Sequence, residues 1–249
     1  MHVHLDSPVI GKNITYGKLI KMNIQRASLD TCHTTTGMVV VIDVLRAFST
    51  AAYAFAAGAQ DITVVSTVTE ALELRGRLPG SLVMGEVDGL LVPGFDFSNS
   101  PVQFDGRNLA GCHLIQRTSA GTQGVIHSRN AERLLAASFV NARATAQAIL
   151  NSTLSSLTFV ITGIRPGNLA DEDVACADYI EALVCGGTPA TAPFLDRVRQ
   201  STTGRLFASP SQSDFHPLDL EYCLAVDRFD FAMPVWRKDG LCVMKATGI

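Results

Sequence analysis

The sequence predicts an α/β fold with a mostly parallel central sheet, and two observations carry that prediction. From about residue 38 onward, short apolar runs alternate with longer stretches whose apolar residues recur at helical spacing. Loops rich in glycine and polar residues separate these segments. Strands that alternate with helices in this way pair in parallel through right-handed crossovers.

The first predicted element is the buried strand Met38–Ile42, because an unbroken apolar run of this length is typical of a parallel strand. A helix over 46–57 follows, and Gly58 marks its end. The other elements predicted for this half are strands over 62–65 and 81–84, a helix over 68–78 and a long loop over 85–101. A loop of that length in a compact chain is usually functional.

The second half continues the alternation. Its predicted elements are strands over 112–116, 134–140 and 157–161, helices over 142–150 and 168–184, and closing strands within 215–243, one of them over 223–226. Asn168 is the predicted N-cap of the helix over 168–184, whose first turn is acidic. The first 35 residues show no clear period. We expect a single unit over 1–249, in which 190–249 closes the fold or forms a second subdomain.

Composition excludes several classes of protein. The net charge of −3 lacks the cationic excess of a nucleic-acid binder or of an anionic membrane face. The longest apolar run is far too short to span a bilayer, and the N-terminus does not resemble a signal peptide, so we expect a cytoplasmic protein. Six cysteines without C-x-x-C pairs predict reduced, mostly buried thiols. Charged residues make up only 17% of the chain, which weakly favours an oligomer.

Candidate functional residues follow four of the predicted strands. In open α/β sheets ligands bind beyond the carboxyl ends of the strands, so we expect the loops 43–46, 85–89, 118–122 and 162–167 to meet. Each loop carries an acid, an arginine or small residues that can bind an anion through backbone N–H groups.

Carboxylates in and near these loops could supply the oxygen ligands that Mg²⁺ prefers. They are Asp43, Glu86, Glu172 and Asp173. Arg46 and Arg165 offer forked donors for a phosphate or a sulfonate.

Structural alternatives stay open for these residues. Asp43 could cap a helix, Glu172 and Asp173 could face a helix dipole, and 118–122 could be an ordinary turn. The sequence contains no P-loop, no G-x-S-x-G elbow and no H-E-x-x-H helix, which argues against those mechanisms.

Four ordered motifs carry a resemblance to one family. Residues 41–50 resemble the D-V-L-R-A-x-S-T signature of the 2-phosphosulfolactate phosphatase (ComB-like) family. Residues 94–101 are similar to its G-F-D-x-x-N-S-P, 118–122 correspond to its T-T-N-G-T, and 172–177 to its E-D-x-x-C-A. The resemblance implies a three-layer α/β sandwich, a homodimer, and Mg²⁺-dependent hydrolysis of the phosphate ester of 2-phospho-3-sulfolactate or a similar small anionic 2-phospho acid.

Together, the strand ends and the resemblance nominate a set of site residues. The predicted catalytic residues are Asp43, Arg46, Glu172 and Asp173, the predicted metal ligands are Asp43, Glu86 and Asp173, and the predicted substrate-binding residues are Ser49, Thr50, Asn99, Ser100, Thr118, Ser119, Gly121, Thr122 and Arg165.

Two departures from the family pattern concern the substrate more than the reaction. Val87 stands where members often have the arginine of G-E-R-x-G, and Ala120 replaces the asparagine of T-T-N-G-T. Two other functions stay open: a non-catalytic binding module for a phosphorylated or sulfonated metabolite, and an enzyme with different phosphoryl or lyase chemistry on the same fold.

Overall fold

The computed structural model describes residues 12–14, 22–164, 169–207 and 215–248, and within them the chain forms a twelve-stranded sheet with helices on both faces. The strands are β1 (Lys12–Ile14), β2 (Met22–Ser28), β3 (Met38–Ile42), β4 (Asp61–Val64), β5 (Leu82–Gly85), β6 (Phe97–Ser98), β7 (His113–Arg117), β8 (Arg133–Ala137), β9 (Ser156–Ile161), β10 (Phe231–Lys238), β11 (Leu241–Met244) and β12 (Thr247–Gly248). The helices are α1 (Ala47–Ala56), α2 (Val68–Arg77), α3 (Gly121–His127), α4 (Ala142–Leu150), α5 (Asp171–Val184), α6 (Ala192–Gln200), α7 (Thr202–Phe207) and α8 (Pro217–Cys223).

The sheet consists of two parallel groups of strands joined by a hairpin. One group has the order β2-β9-β3-β8 and the other has the order β4-β7-β5-β6. The hairpin of β10 and β11 lies between them and pairs antiparallel with β8 on one side and with β4 on the other. Because three antiparallel pairings separate the two groups, their strands run in opposite directions.

Contacts between the two groups show that the sheet is strongly curled. Five strand spacings separate β3 from β7, roughly 24 Å across a flat sheet. Nevertheless Gln116, on β7, donates a 2.9 Å hydrogen bond to the carbonyl of Ala47, the first residue of α1. A Cβ added at Gly121 would lie only 2.7 Å from Oδ2 of Asp43, which directly follows β3. The curl therefore brings the carboxyl ends of β3 and β7 together.

Three layers result from this curl, as expected. On the inner face, α1 packs against both groups of strands, and Phe48, Val41 and Leu114 belong to one apolar cluster. On the outer face, Val40 lies in the cluster that includes α4 and α5, and Val83 packs with α2. The strands of this three-layer α/β sandwich are buried on both faces, which explains their unbroken apolar runs.

The predicted elements agree with the structure except at a few places. The strand predicted over 134–140 ends at Ala137, because Phe139–Asn141 forms a 3₁₀ turn in which Ser138 N donates to Asn141 Oδ1 at 3.0 Å. The strand predicted over 223–226 is wrong, since Cys223 ends α8 and a turn follows. The apolar pattern does not predict helices α3, α6, α7 and α8 or strands β1, β2, β6 and β12.

The start of α5 also differs from the prediction. This helix begins at Asp171, because Ala170 adopts a left-handed backbone conformation (φ 50°) that cannot continue a helix. Asn168 is therefore not the N-cap, and it lies in the segment 165–168, outside the described residues.

The remaining predictions, which concern the cysteines, membrane-spanning helices and the C-terminal part, can be compared directly with the structure. All six cysteines are free thiols, and four of them are buried. Within the ranges given above, no helix is long and apolar enough to cross a membrane. The predicted closing strands are β10 and β11, which lie in the middle of the sheet.

Candidate active site

The loops that follow β3, β5, β7 and β9 meet, as expected, although two groups of strands supply them rather than one common edge. They enclose two adjoining chambers of about 170 and 200 Å³, which share Asp43, Ser119 and Thr203. We call the smaller one the acidic chamber, because Asp43, Glu172 and Asp173 line it. We call the larger one the arginine chamber, because Arg46 lines it together with Glu86 and Asn99 among others.

Asp43 directly follows β3 and is buried at the junction of the two chambers. Its Oδ1 accepts a 3.0 Å hydrogen bond from the backbone N–H of Ala47, the first residue of α1. The contact matches the helix-capping alternative in part, since the side chain does satisfy a free N–H group at the start of the helix. Asp43 nevertheless lines both chambers as well, so that one carboxylate serves the helix and faces the site.

Asp173 joins the two parts of the acidic chamber. Its Oδ1 accepts a 2.9 Å hydrogen bond from the N–H of Val44, and its Oδ2 accepts a 3.1 Å hydrogen bond from the N–H of Gly163. The hydroxyl of Thr162 lies 3.3 Å from the same Oδ2. Asp173 thus ties the loop after β3 to the loop after β9, and its side chain does more than face the dipole of its own helix.

Glu172, its neighbour on α5, is 3% exposed. Among the residues that the structure describes, no donor reaches its Oε2 atom. A buried carboxylate oxygen without a hydrogen-bond donor is costly, and such groups are usually paired with a cation or a ligand. This oxygen is therefore available to a group that enters the acidic chamber.

Burial and mutual repulsion raise the pKa values of Asp43 and Asp173. The pKa of Asp43 rises from 3.8 to about 6, mainly because of burial and in addition because of the charges of Glu86 and Glu172, against hydrogen bonds from Ala47 and Gly121. Burial likewise raises the pKa of Asp173 well above its ordinary value, with Asp43 and Glu172 as the repelling charges. A cation in the chamber would relieve this repulsion.

Glu86 is held more tightly than the other acids. Its Oε1 accepts a 2.5 Å hydrogen bond from the N–H of Ser119, and its Oε2 accepts a 2.5 Å hydrogen bond from the N–H of Gly89. The hydroxyl of Ser119 also donates to Oε2 at 3.1 Å. Glu86 therefore fixes the loop after β7 against the loop after β5.

The turn that precedes α3 is closed by two threonines. The N–H of Thr118 donates to Oγ1 of Thr122 at 2.8 Å, and the N–H of Thr122 donates to Oγ1 of Thr118 at 3.1 Å. Gly121 lies between them, and the close approach of Asp43 leaves no room for a side chain there. Thr118 and Thr122 shape this turn with their own hydroxyl groups, so its contribution to the chambers comes from Ser119 and Ala120.

Arg46 is buried in the wall of the arginine chamber, and its side chain is 2% exposed. Its NH1 donates a 2.7 Å hydrogen bond to Oδ2 of Asp219, on α8, and its NH2 donates to the carbonyl of Gly89 at 3.3 Å. The rings of Phe207 and Phe215 lie 5.2 and 5.1 Å from the guanidinium carbon. The guanidinium is thus held by an acid, a carbonyl and two aromatic rings.

The other predicted substrate-binding residues divide into four groups. Asn99 lines the arginine chamber, and its Oδ1 is buried with no donor within the described part of the chain. Ser49 and Ser100 face the protein instead: Ser49 donates to the carbonyl of Val44 at 2.8 Å, and Ser100 donates to Asp219 at 2.6 Å. Thr50 is buried in α1 and borders neither chamber. Arg165 lies outside the described residues.

Sequence reasoning missed the part of the site that comes from the C-terminal region. Asp219, Phe207 and Phe215 surround Arg46, and Thr203 lines both chambers. One signal was available for Asp219, an acid between two leucines just after a proline. The contacts themselves depend on how α7 and α8 pack, which no local pattern encodes.

A larger cavity of about 540 Å³ lies elsewhere, between α2 and the turn that joins β10 to β11. Its charged lining consists of Glu70, Glu73 and Arg77, all on α2. Glu70 already accepts hydrogen bonds from the N–H groups of Ser66 and Thr67, as part of the capping box at the start of α2. Size alone therefore does not make it the functional site, since its acids are solvated or serve the helix.

A metal would not find a complete set of protein ligands. In the described ranges, no group of three or more histidine, cysteine, aspartate or glutamate side chains converges closely enough to hold an ion. An ion in the acidic chamber would therefore take one or two carboxylates and complete its shell with water and ligand oxygens. Mg²⁺ is commonly bound in that way.

Comparison with known proteins gives one consistent family. The family model for 2-phosphosulpholactate phosphatase matches residues 24–238. A protein of Bacillus subtilis (strain 168) named probable 2-phosphosulfolactate phosphatase is 35% identical over 202 residues, which cover 81% of this chain and 87% of that protein.

Two further relatives carry the same name. The protein of Carboxydothermus hydrogenoformans is 40% identical over 146 residues, which cover 59% of this chain and 60% of the relative. The protein of Caldicellulosiruptor saccharolyticus is 31% identical over 212 residues, which cover 77% of this chain and 86% of the relative.

Proposed function

Since the chain belongs to the 2-phosphosulfolactate phosphatase family and is thereby a phosphoric monoester hydrolase, we propose that it hydrolyses 2-phospho-3-sulfolactate or a similar small anionic 2-phospho acid with the help of Mg²⁺. The observation that carries the proposal is the acidic chamber, in which Asp43, Glu172 and Asp173 are buried together and in which Oε2 of Glu172 has no donor among the described residues.

The acidic chamber suits a divalent cation. Burial and repulsion oppose the ionised forms of Asp43 and Asp173, and a positive charge between them would offset both. Asp43 and Asp173 are the ligands that we propose first. Glu86 is the third predicted ligand, but two 2.5 Å hydrogen bonds already hold its oxygens. We therefore propose that it contributes less to metal binding than Asp43 and Asp173. When bound, Mg²⁺ would neutralise the phosphate oxygens and polarise the phosphorus.

Glu172 is the group that we propose to orient the attacking water. Glu172 lines the acidic chamber, and its buried Oε2 has no donor among the described residues, so we propose that a water molecule bound there donates a hydrogen bond to it. A carboxylate in that position takes a proton from the water as its oxygen forms the new bond to phosphorus. The ester P–O bond breaks in the same step, and the released 2-hydroxy acid takes up a proton at that oxygen. The backbone N–H of Ala120, which lines the same chamber, would hold the phosphate on its other side, since the N–H of Ser119 already donates to Glu86.

The arginine chamber would receive the other end of the substrate. A 2-phospho-3-sulfolactate molecule carries a sulfonate and a carboxylate in addition to its phosphate, and a guanidinium suits either anion. Arg46 and Asn99 line that chamber next to Asp43, which borders both chambers. We propose that phosphate occupies the acidic chamber while the sulfonate lies near Arg46.

Of the two departures from the family pattern, Ala120 lines both chambers, and Val87 lies between Glu86 and Asp88, which line the arginine chamber. The backbones of Val87 and Leu90 pair with each other at 3.0 and 3.1 Å, which makes a tight turn. This turn presents the carbonyl of Gly89 to Arg46. Because Val87 contributes no charge, Arg46 is the proposed cation of the chamber.

The alternative of a plain binding module is less consistent with the chamber. A receptor for an anion gains nothing from burying three carboxylates beside its ligand, since each of them repels it. Those carboxylates are useful only if a cation or a proton transfer is involved.

Release of inorganic phosphate tests the proposed function. The purified chain is incubated with 2-phospho-3-sulfolactate, 2-phospholactate and phosphoglycolate, each with added Mg²⁺ and after treatment with a chelator. We expect turnover of at least one 2-phospho acid that depends on the metal. Binding without hydrolysis of any of them would favour the binding module.

We also propose that the enzyme is a homodimer of the cytoplasm. Exposed leucines support an interface: Leu90, Leu91 and Leu169 are 52%, 49% and 82% exposed. Light scattering on the protein as it elutes from a size-exclusion column measures its oligomeric state. Fractionation of the cells that produce the protein tests its location.

A further inference from the structure

We propose that Asp219 is a positioning residue, which holds Arg46 in the orientation that receives the anionic end of the substrate. The inference rests on the proposed function of the arginine chamber and extends it to a residue of the C-terminal region. Asp219 lies on α8, more than 170 positions after Arg46, and it touches neither chamber itself.

Asp219 is completely buried, and both oxygens of its carboxylate accept hydrogen bonds. Its Oδ2 accepts the 2.7 Å bond from Arg46, and its Oδ1 accepts the 2.6 Å bond from the hydroxyl of Ser100. The N–H of Val102 lies 3.4 Å from the same Oδ1. A carboxylate enters a protein interior only with such partners, because desolvation of an unpaired charge is expensive. The pair is therefore a specific connection and not a surface ion pair.

The connection restricts the guanidinium from several directions. Asp219 holds one end, Gly89 accepts from the other end at 3.3 Å, and the rings of Phe207 and Phe215 cover it at 5.2 and 5.1 Å. The two rings meet each other edge to face, with centroids 5.1 Å apart. A side chain with four rotatable bonds is thus reduced to one arrangement, and the entropy of fixing it is lost on folding rather than on binding.

Charge gives Asp219 a second effect on the chamber. Asp43 and Glu86 line the same chamber as Arg46, and either carboxylate could attract a mobile guanidinium. The bond to Asp219 keeps the guanidinium away from them. Loss of Asp219 would leave a buried, uncompensated cation, which is free to turn toward those acids and to block the chamber.

Asp219→Asn is the direct test, because asparagine preserves the shape and removes the charge. We expect kcat/KM to fall about tenfold or more, mainly through a higher KM, since a charged hydrogen bond that orients a binding group is lost. Ser100→Ala removes only the second contact of Asp219, and we expect a smaller loss. Asp227→Asn is the matched control, since Asp227 pairs with Arg143 and Tyr179 outside both chambers.

A double-mutant cycle separates positioning from a general structural role. In the Arg46→Ala background, Asp219→Asn should cause no further kinetic loss, because the group through which it acts is gone. The melting temperature of each variant is recorded in parallel. Equal losses in both backgrounds, or losses that merely follow the fall in melting temperature, would overturn the inference.

Binding of 3-sulfolactate, which keeps the sulfonate and the carboxylate of the proposed substrate but lacks its phosphate, distinguishes this inference from the proposed function when it is measured by calorimetry. If the wild-type chain hydrolyses no phosphomonoester, the proposed function fails. Affinity for 3-sulfolactate that Arg46→Ala and Asp219→Asn weaken to the same extent would still support the positioning role. Equal affinity of the wild type and Asp219→Asn for 3-sulfolactate would refute it whatever the activity.

Discussion

The carboxylate of Asp173 accepts a 2.9 Å hydrogen bond from the backbone N–H of Val44, 129 positions earlier in the chain. Val44 follows Asp43, so this bond sets the distance between the two acids of the chamber. The pair joins two motifs that come from different strand ends, β3 and β9, and it places both acids where their charges repel each other. The predictions below depend on that arrangement.

Asp43→Asn should abolish most of the activity while the fold is preserved. Asparagine can still accept the hydrogen bond from Ala47, so the cap of α1 survives, but it provides no charge for a metal. We expect kcat to fall by at least about a hundredfold. Steady-state kinetics and circular dichroism measure the two effects, and near-normal activity would mean that Asp43 is only a cap.

The same variant should be more stable than the wild type above pH 6. Because the pKa of Asp43 is about 6 in the folded chain and 3.8 ordinarily, the folded chain binds more protons between these values. Stability therefore falls as the pH rises from about 4 to about 6, by up to about 3 kcal/mol. Asp43→Asn removes this loss.

Urea unfolding at pH 4.5 and pH 8, with chelator present, measures that effect. We expect the advantage of Asp43→Asn over the wild type to be larger at pH 8. An advantage that is equal at both pH values, or absent, would contradict the raised pKa of Asp43.

Asp173→Asn should also lose most of the activity, and it should cost stability as well. Its two oxygens accept hydrogen bonds from the N–H groups of Val44 and Gly163. Asparagine keeps one oxygen and replaces the other by an NH₂ group, which cannot accept a hydrogen bond from the remaining N–H group. A lost hydrogen bond of this kind costs about 1 to 3 kcal/mol. The double variant with Asp43→Asn should lose clearly less activity than the two single losses combined, since both act on one centre. Simple additivity of the two kinetic losses would argue for separate roles.

The sequence was most informative where burial alone decides the local structure. The strand Met38–Ile42 was predicted to the residue, because five apolar side chains in a row must be covered on both faces. The start of α5 was misplaced, because the left-handed conformation of Ala170 comes from tertiary packing and not from its own preference. The strand over 134–140 was too long, because apolar residues also continue into the 3₁₀ turn at Phe139–Asn141.

The site was predicted unevenly for a similar reason. The positions of Asp43 and Ser119 at the chambers follow from strand ends, which a chain with alternating strands and helices reveals. That the two groups of strands run in opposite directions could not be predicted, since the hairpin of β10 and β11 joins them late in the chain. The partners of Arg46 were missed because Asp219 and Phe215 come from the region after the last predicted helix.

Arg46→Ala should weaken substrate capture far more than Arg143→Ala. Arg46 is buried in the chamber, whereas the side chain of Arg143 is 67% exposed and its ion pair with Asp227 lies on the surface. Removal of a buried charged contact costs a few kcal/mol, while a surface ion pair contributes about 1 kcal/mol or less. Values of kcat/KM for the two variants decide the point, and equal effects would contradict the proposed arginine chamber.

The dependence of phosphate release on Mg²⁺ tests the central claim most directly. The wild type and Asp43→Asn are assayed with 2-phospho-3-sulfolactate at pH 8, after exhaustive chelation and again after Mg²⁺ is restored. The account predicts that the wild type is inactive after chelation, that Mg²⁺ restores its turnover, and that Asp43→Asn stays inactive under both conditions. Full turnover by the chelated wild type would contradict it.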